Sequence, residues 1–159
     1  MTTSQQILGT ISGGKVLDVA TGSGGFIHLL IEGLRDFDEI IGIDTTDRGA
    51  AAFTAAFTDR PNIHFEQMDA AQLNWPDASF DTVCISNSLH HLADVPRVLA
   101  QLDRVLKPGG HFIISEMYRD GQTAEQQTHV ELHHWWAAVD TAQGVIHHET
   151  YTREQLMAI

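Results

Sequence analysis

Short apolar runs alternate with longer amphipathic segments along the first two-thirds of this chain. The apolar runs are rich in β-branched residues and are bounded by polar residues or glycines, a pattern typical of buried strands. They lie at Lys15–Ala20, Glu39–Asp44, Asn62–Gln67, Asp81–Ser86 and His111–Glu116. The segments between them follow helical spacing, so the pattern predicts five strands separated by helices.

Three of the intervening segments predict helices, at Phe26–Leu34, Arg48–Phe57 and Asp94–Leu106. The last has one continuous apolar stripe, with Asp94 suited to the N-cap and Pro96 to the first turn. Each strand-to-strand connection is long enough for a crossover. We therefore predict an α/β fold with a doubly wound, mostly parallel sheet and helices on both faces.

The C-terminal part of the chain has a different pattern. An amphipathic helix is predicted at about Thr123–Asp140, with Trp135 on its apolar face, and a further helical piece after Tyr151. No sixth or seventh strand is evident, so the C-terminal strands of such a sheet are missing or the chain is truncated. We expect one domain over residues 1–159, with its core at 15–116 and a helical lid or dimer segment at 117–159.

The composition is globular and acidic. Hydrophobic residues make up 43% of the chain, and 9 Lys and Arg stand against 21 Asp and Glu, a net charge of −12. This charge repels phosphate backbones and anionic lipid, so we expect neither nucleic acid nor a membrane surface as partner. No apolar run is long enough for a membrane span, and the N-terminus lacks signal-peptide features. The single Cys84 fits a reducing compartment, so we expect a cytoplasmic location.

A glycine-rich turn follows the first predicted strand, in the segment Asp18–Gly25 (DVATGSGG). A turn between a strand and a helix is a common place for a ligand held by backbone N–H groups. This turn carries Asp18 and no Lys or Arg, so it would repel a pyrophosphate and favour an ammonium or sulfonium group. S-adenosylmethionine has both groups and no phosphate. A tight turn without any ligand stays open as an alternative.

Four motifs follow one another in order: VLDVATGSGGF, IIGIDTT, FEQMDAAQLNWPDASFDTVCISNSLHHLADV and LDRVLKPGGHFIISE. Together they resemble the class I S-adenosylmethionine-dependent methyltransferases, in particular the small-molecule branch that includes the ubiquinone and menaquinone C-methyltransferases. The resemblance covers roughly Lys15–Glu116. It implies a Rossmann-like fold and an enzyme that transfers a methyl group from S-adenosylmethionine to an O-, C- or N-nucleophile of a small molecule, leaving S-adenosylhomocysteine.

The resemblance also implies which residues bind the methionine portion of the cofactor. These are Asp18 and the turn formed by Ala20, Thr21, Gly22 and Gly24. The chain departs from the family pattern in one place, because Ala20 stands where the family has its first glycine. A methyl side chain is a mild change at this position.

Residues at later strand ends are implied to bind the rest of the cofactor. Asp44 would accept both ribose hydroxyls, Thr45 would line the adenine, and Asp69 with the backbone of Ala70 would read the adenine edge. Asn87 lies where the family closes over the methionine and the transferred methyl group. Each carboxylate, taken alone, also suits a turn or a solvated strand end.

Methyl transfer is an in-line displacement that depends chiefly on alignment and on excluding water. A base is needed only when the acceptor is an alcohol, a phenol or a carbon acid. His90 and His91 follow the fourth predicted strand and are candidate bases, although the pair also occurs in this family without catalytic duty.

Later histidines raise the question of a metal. His129 and His133 are four residues apart and share a helix face, a spacing that metal sites use. No cysteine or third ligand of matching spacing is evident, so we expect no metal. His133 and His134 with Trp135 and Trp136 suit an aromatic lid or a dimer contact, and more often such residues form core.

Two other functions stay open. One is an NAD(P)-dependent oxidoreductase, and the other is a protein or fragment that binds a cofactor without catalysis. The missing strands motivate the second, because they leave the fifth strand as an exposed edge. This edge would be covered by a second subunit in a homodimer, or by further strands of a longer gene product.

Overall fold

The computed structural model describes residues 3–159. Its strands are β1 (Lys15–Val19), β2 (Glu39–Asp44), β3 (Ile63–Gln67), β4 (Phe80–Ser86) and β5 (Leu106–Ser115). Its α-helices are α1 (Thr3–Leu8), α2 (Gly25–Gly33), α3 (Ala50–Ala56), α4 (Val95–Val105), α5 (Ala124–Ala142) and α6 (Arg153–Met157), and a 3-10 turn spans Leu89–His91.

The chain divides into two compact units. The first comprises the residues up to Ser86 together with Pro96–Ile114, and the second comprises Asn87–Val95 and Ser115–Ile159. The first unit therefore holds β1 to β4 and nearly all of β5. The second holds the 3-10 turn, α5 and α6.

The five strands form one sheet in the order β3-β2-β1-β4-β5. β1 pairs in parallel with β2, from Lys15 opposite Glu39, and with β4, from Val16 opposite Thr82. β2 also pairs in parallel with β3. The chain builds outward from β1 on one side and then crosses to its other side, which creates a topological switch point between β1 and β4. The predicted α/β fold, with its doubly wound sheet and helices on both faces, is confirmed.

The centre of the first unit is a strand core. Val16, Leu17, Ile40 and Ile43 are at most 1% exposed, and Ile27 of α2 packs into the same core. A sheet covered on both faces needs strands that are apolar on both faces, which explains the nearly continuous apolar runs in the sequence.

Two elements of the first unit differ from the sequence prediction. β5 begins at Leu106, well before the predicted start at His111, and it includes the Pro-Gly-Gly run. Gly110 approaches the start of β4 so closely that a Cβ there would lie 2.6 Å from the carbonyl oxygen of Asp81, so the glycine permits pairing where a turn is expected. α1 has no counterpart in the sequence prediction. It is a single short helix with only Leu8 buried.

In the second unit, α5 begins at a capping box in which Thr123 and Gln126 bond each other's backbone N–H groups. Its buried residues are Val130 and Ala137, whereas Trp135 is 60% exposed and Trp136 is similarly exposed. Trp135 lies about 140° around the helix from Val130, because each residue advances by about 100°. The prediction that these tryptophans belong to the core is therefore wrong.

After β5, the described residues add no further strand to the sheet, in agreement with the sequence pattern. An isolated bridge joins Tyr118 and Tyr151, and α6 follows it at Arg153–Met157, as predicted. None of the described helices combines the length and the apolar character that crossing a membrane requires.

Candidate functional site

The turn after β1 has a left-handed backbone at three positions. Ala20, Gly22 and Gly24 have φ values of 56°, 54° and 85°. The N–H of Thr21 donates to the carbonyl of Ile43 at 2.9 Å, and that of Gly24 donates to the carbonyl of Thr21 at 2.8 Å. The left-handed region costs a residue with a Cβ about 1 kcal/mol or more, so Ala20 carries backbone strain.

The same turn leaves open space on one side. A Cβ added at Gly22 or Gly25 would meet no heavy atom within 4 Å. A Cβ at Gly49, in contrast, would collide with the backbone of Gly22, so the loop before α3 packs against the turn. The N–H groups at the start of α2 therefore border a free space that a ligand can enter.

Asp18 lies at the base of this turn and is only 1% exposed. Its Oδ2 accepts a 2.6 Å hydrogen bond from Oγ1 of Thr21, while its Oδ1 is buried and has no hydrogen-bond partner among residues 3–159. Burial raises the pKa of the carboxyl group to about 7, and the hydrogen bond from Thr21 offsets this only in part. Asp18 is thus an acidic group held ready for a partner that the chain itself does not provide.

Asp44 ends β2 and reaches the turn. Its Oδ2 accepts the N–H of Gly22 at 3.1 Å, and its Oδ1 accepts the N–H of Thr46 at 3.1 Å. A carboxylate has about four acceptor positions, so Asp44 keeps capacity for further hydroxyl donors. Thr45, the next residue, is exposed, and its carbonyl accepts a hydrogen bond from Nε2 of Gln67 at 3.0 Å.

Asp69 follows β3 in the adjacent position of the sheet. The N–H of Met68 donates to the carbonyl of Asp44 at 2.9 Å, which brings the two strand ends together. The exposed Asp69 accepts the N–H of Ala71 at 2.8 Å, and Ala70 is buried. The structure therefore brings Asp18, Asp44 and Asp69 to the carboxyl ends of three neighbouring strands.

These residues fit S-adenosylmethionine, the cofactor that the motifs imply. An unpartnered buried carboxylate oxygen suits an ammonium or sulfonium group, and the open side of the turn admits a ligand close to the backbone. The sequence places Asp18 in this turn, and the structure adds that its carboxyl group is buried.

Asn87 belongs to the second unit, apart from the other predicted cofactor residues. It has a positive φ of 45°, its side chain is exposed, and its N–H donates to the carbonyl of Ser115 at 2.7 Å.

Of the two histidines predicted as candidate general bases, one is buried and the other is exposed. His90 is 2% exposed, and its Nδ1 lies 3.2 Å from Oε1 of Glu116. Oε2 of Glu116 accepts the N–H of Leu89 at 2.9 Å. Burial raises the pKa of Glu116, but the contacts with His90 and Leu89 outweigh it, so the pKa is lowered. His91 is exposed overall, but part of its ring is shielded from water; this partial desolvation, followed by the nearby His90 and His147, lowers its pKa.

Three histidines of the second unit meet in a cluster that the sequence did not predict. Ligand nitrogens of His90, His133 and His147 all lie within 4.8 Å of one another. Burial, followed by His90 and His147, lowers the pKa of His133 to about 4. The premise that His133 lacks further potential ligands is therefore wrong. The only sequence feature that pointed to this cluster was the large number of histidines late in the chain. Helical spacing identifies only His129 as a neighbour of His133.

His129 instead lines a separate cavity of about 240 Å³ in the second unit. Met117, Tyr118 and Val130 contribute to its wall, and Glu116 lies at the boundary between this cavity and the histidine cluster. The cavity therefore combines apolar surface with a few polar groups, as small-molecule sites do.

Comparisons with known proteins agree with these features. The family described as "Methyltransferase domain" matches residues 17–114. The 2-phytyl-1,4-naphtoquinone methyltransferase of Synechococcus elongatus is 32% identical over 140 residues, 83% of this chain and 58% of that protein. The demethylmenaquinone methyltransferase of Deinococcus radiodurans is 40% identical over 103 residues, 64% of this chain and 42% of that protein.

Among solved structures, the S-adenosylmethionine-dependent methyltransferase of Mesorhizobium loti is 31% identical, with a TM-score of 0.58. The match covers 67% of this chain and 49% of that one. This chain thus spans about half the length of the relatives it matches.

Proposed function

The chain belongs to the methyltransferase domain family, and we propose that it binds S-adenosylmethionine and methylates a small-molecule acceptor. The alternative of an NAD(P)-dependent oxidoreductase has no support among the relatives described above.

The buried Asp18 is the observation that carries this proposal. Its Oδ1 has no partner among the described residues, so it is available to a cationic group of a ligand and would repel a phosphate. A dinucleotide would bring a doubly negative pyrophosphate to the same turn. We therefore assign Asp18, with the turn of Ala20, Thr21, Gly22 and Gly24, to the methionine portion.

The neighbouring strand ends supply the remaining contacts in this proposal. Asp44 is already oriented by the N–H groups of Gly22 and Thr46, so its free lone pairs can accept two ribose hydroxyls without reorganisation. Thr45, Asp69 and Ala70 follow β2 and β3 on the same edge and would contact the adenine. Asn87 is assigned to the closure over the methionine.

The bound cofactor supplies an electrophilic methyl group on a sulfonium centre. The residues of the chain position it, and they need to add a base only for an acceptor that must lose a proton. His90 and His91 are the predicted bases. Of the two, His91 is exposed to an incoming acceptor, whereas His90 is enclosed by other imidazoles.

We propose a quinone-type acceptor. Two relatives are named for naphthoquinone and menaquinone methylation, and the cavity beside Met117, Tyr118 and Val130 offers apolar walls for a ring. The net charge of −12 supports a small molecule over a nucleic acid.

Calorimetric titration with S-adenosylmethionine, S-adenosylhomocysteine and NAD tests the cofactor assignment. We expect binding of the first two and none of NAD, and the reverse order would refute the proposal. Radiolabelled methyl transfer to quinols, phenols and small carboxylates then tests the acceptor class, with transfer to quinols expected.

A further inference from the structure

We propose that His90, His133 and His147 form a binding site for one divalent transition-metal ion. The three residues come from separate elements of the second unit: the 3-10 turn, α5 and the segment that follows α5. Their ligand nitrogens lie within 4.8 Å of one another, and His90 and His147 are buried. The fold thus concentrates three imidazoles in an interior position.

The spacing of two of these nitrogens matches metal geometry. Nε2 of His133 lies 3.3 Å from Nε2 of His147. Two ligands at about 2.0 to 2.1 Å from a tetrahedral Zn²⁺ have nitrogens about 3.3 Å apart. The ligand nitrogen of His90 lies within 4.8 Å of both, so it must move closer to them to complete a three-nitrogen face.

The proton positions allow a cation to bind between the rings of His133 and His147. Nδ1 of His147 lies 2.7 Å from Oδ2 of Asp140, so this nitrogen donates its proton to the carboxylate and leaves a lone pair on Nε2. His133 can place its proton on Nε2 and bond His147, or place it on Nδ1, which is buried and has no partner among the described residues in either case. With the proton on Nδ1, two lone pairs face each other at 3.3 Å. A bound cation removes this repulsion.

Two carboxylates occupy the places of outer-shell partners. Nδ1 of His147 donates a hydrogen bond to Asp140. Glu116 lies 3.2 Å from Nδ1 of His90, but this nitrogen has no hydrogen-bond partner among the described residues, so the ring must move slightly for Glu116 to hold it in the same way. Metal-ligating histidines commonly use their second ring nitrogen in this way, which fixes the ring orientation and strengthens the ligand. The two negative charges also balance the charge of a divalent ion.

The donor set selects the class of ion. Imidazole nitrogens suit Zn²⁺, Ni²⁺, Co²⁺ or Cu²⁺, whereas Mg²⁺ and Ca²⁺ require oxygen ligands. The only cysteine, Cys84, belongs to β4 in the first unit, so the site is built without thiolate. Three protein ligands leave one coordination position open.

Titration of the chelator-treated full chain with Zn²⁺, measured by competition with a chromophoric chelator, tests the site. We expect one equivalent to bind, and Co²⁺ to give the visible absorption of tetrahedral coordination. His133→Gln and His147→Gln should each weaken Zn²⁺ binding at least 100-fold. Asp140→Asn should weaken it about 10- to 100-fold, because it removes the outer-shell acceptor.

His129→Gln is the matched control, since His129 lies one helical turn before His133 and outside the cluster. It should bind Zn²⁺ as the unmodified chain does. His133 is only partly buried, so His133→Gln should keep its fold, which circular dichroism verifies. Equal Zn²⁺ binding by all variants, or no stoichiometric binding by the unmodified chain, would overturn the proposal. None of these readouts requires methyl transfer.

Discussion

Oγ1 of Thr21 donates a 2.6 Å hydrogen bond to Oδ2 of Asp18, and both side chains are buried at the carboxyl end of β1. The contact orients the carboxyl group but satisfies only one of its two oxygens. The chain therefore retains, in its interior, an acid that would be better solvated in the unfolded state. Such a residue links the candidate cofactor site to the stability of the fold.

The stability of the chain should fall as pH rises toward about 7, because of Asp18. Its pKa is 3.8 in the unfolded chain, the ordinary value for aspartate, and burial raises it to about 7 in the folded chain. Between these values the unfolded chain has released a proton that the folded chain retains, so each pH unit costs the fold about 1.4 kcal/mol. The contribution of protonated Asp18 to the free energy of unfolding is complete below pH 3.8 and is lost above about pH 7.

Urea unfolding between about pH 5 and pH 8 measures this effect, with an expected loss of about 2 to 3 kcal/mol. Asp18→Asn is neutral throughout and should lack this part of the loss. Thr21→Val removes a hydrogen bond that lowers the pKa of Asp18, so it should move the loss to higher pH. Parallel profiles for the unmodified chain and Asp18→Asn would contradict the prediction.

Asp44→Ala should weaken S-adenosylmethionine binding by about 1.5 to 3 kcal/mol, about 10- to 150-fold. The substitution removes the ribose acceptor and also leaves the N–H groups of Gly22 and Thr46 without their partner. Calorimetric titration measures the change. Asp47→Ala, which removes an exposed carboxylate from the same loop, is the control and should bind as the unmodified chain does. Unchanged affinity in Asp44→Ala would exclude Asp44 from the site.

The sheet, and the gathering of three acidic residues at one edge of it, were predictable from sequence for a physical reason. Strands such as β2 are buried on both faces, so their apolar runs are continuous and easily recognised. Parallel pairing then places the ends of β1, β2 and β3 at one edge, which brings Asp18, Asp44 and Asp69 together. The burial of Asp18 was not predictable, because it depends on Thr21 and on packing around the turn.

The histidine cluster could not be predicted from local sequence patterns. His90 and His133 are far apart in the chain, and no local periodicity connects them. His147 follows α5 in a segment without regular structure, so no helix face predicts its direction. The exposed Trp135 has a similar cause, since the polar and apolar residues of α5 do not define one face clearly.

His91→Ala should reduce the rate of methyl transfer at least 10-fold for an acceptor that must lose a proton, with cofactor affinity unchanged. The exposed ring of His91 can reach an acceptor, and no hydrogen bond joins it to the cofactor residues described above. Single-turnover kinetics and calorimetry on the same variant separate the two effects. His111→Ala serves as the histidine control, because His111 is exposed on β5 and belongs to neither the proposed cofactor residues nor the acceptor cavity. Full activity in His91→Ala would end its assignment as a base.

Gly42→Ala should damage the site from the adjacent strand. Gly42 lies opposite Asp18 in the register of β1 and β2. A Cβ there would lie 2.7 Å from Cε2 of Phe53 and 2.7 Å from Oγ1 of Thr21. Because the strands cannot separate without losing their pairing, Thr21 must move away from Asp18. The free energy of unfolding should fall by about 1 to 3 kcal/mol, and S-adenosylmethionine affinity should fall with it.

Gly25→Ala is the matched glycine control for stability. A Cβ at Gly25 meets nothing within 4 Å, and its φ is not positive. Since alanine favours the helix that begins at this residue, unfolding should cost the same or up to about 1 kcal/mol more. Urea unfolding of both variants decides the point. If Gly42→Ala were as stable as Gly25→Ala and bound S-adenosylmethionine normally, the close packing of β2 against Thr21 could not be what holds Asp18 in position.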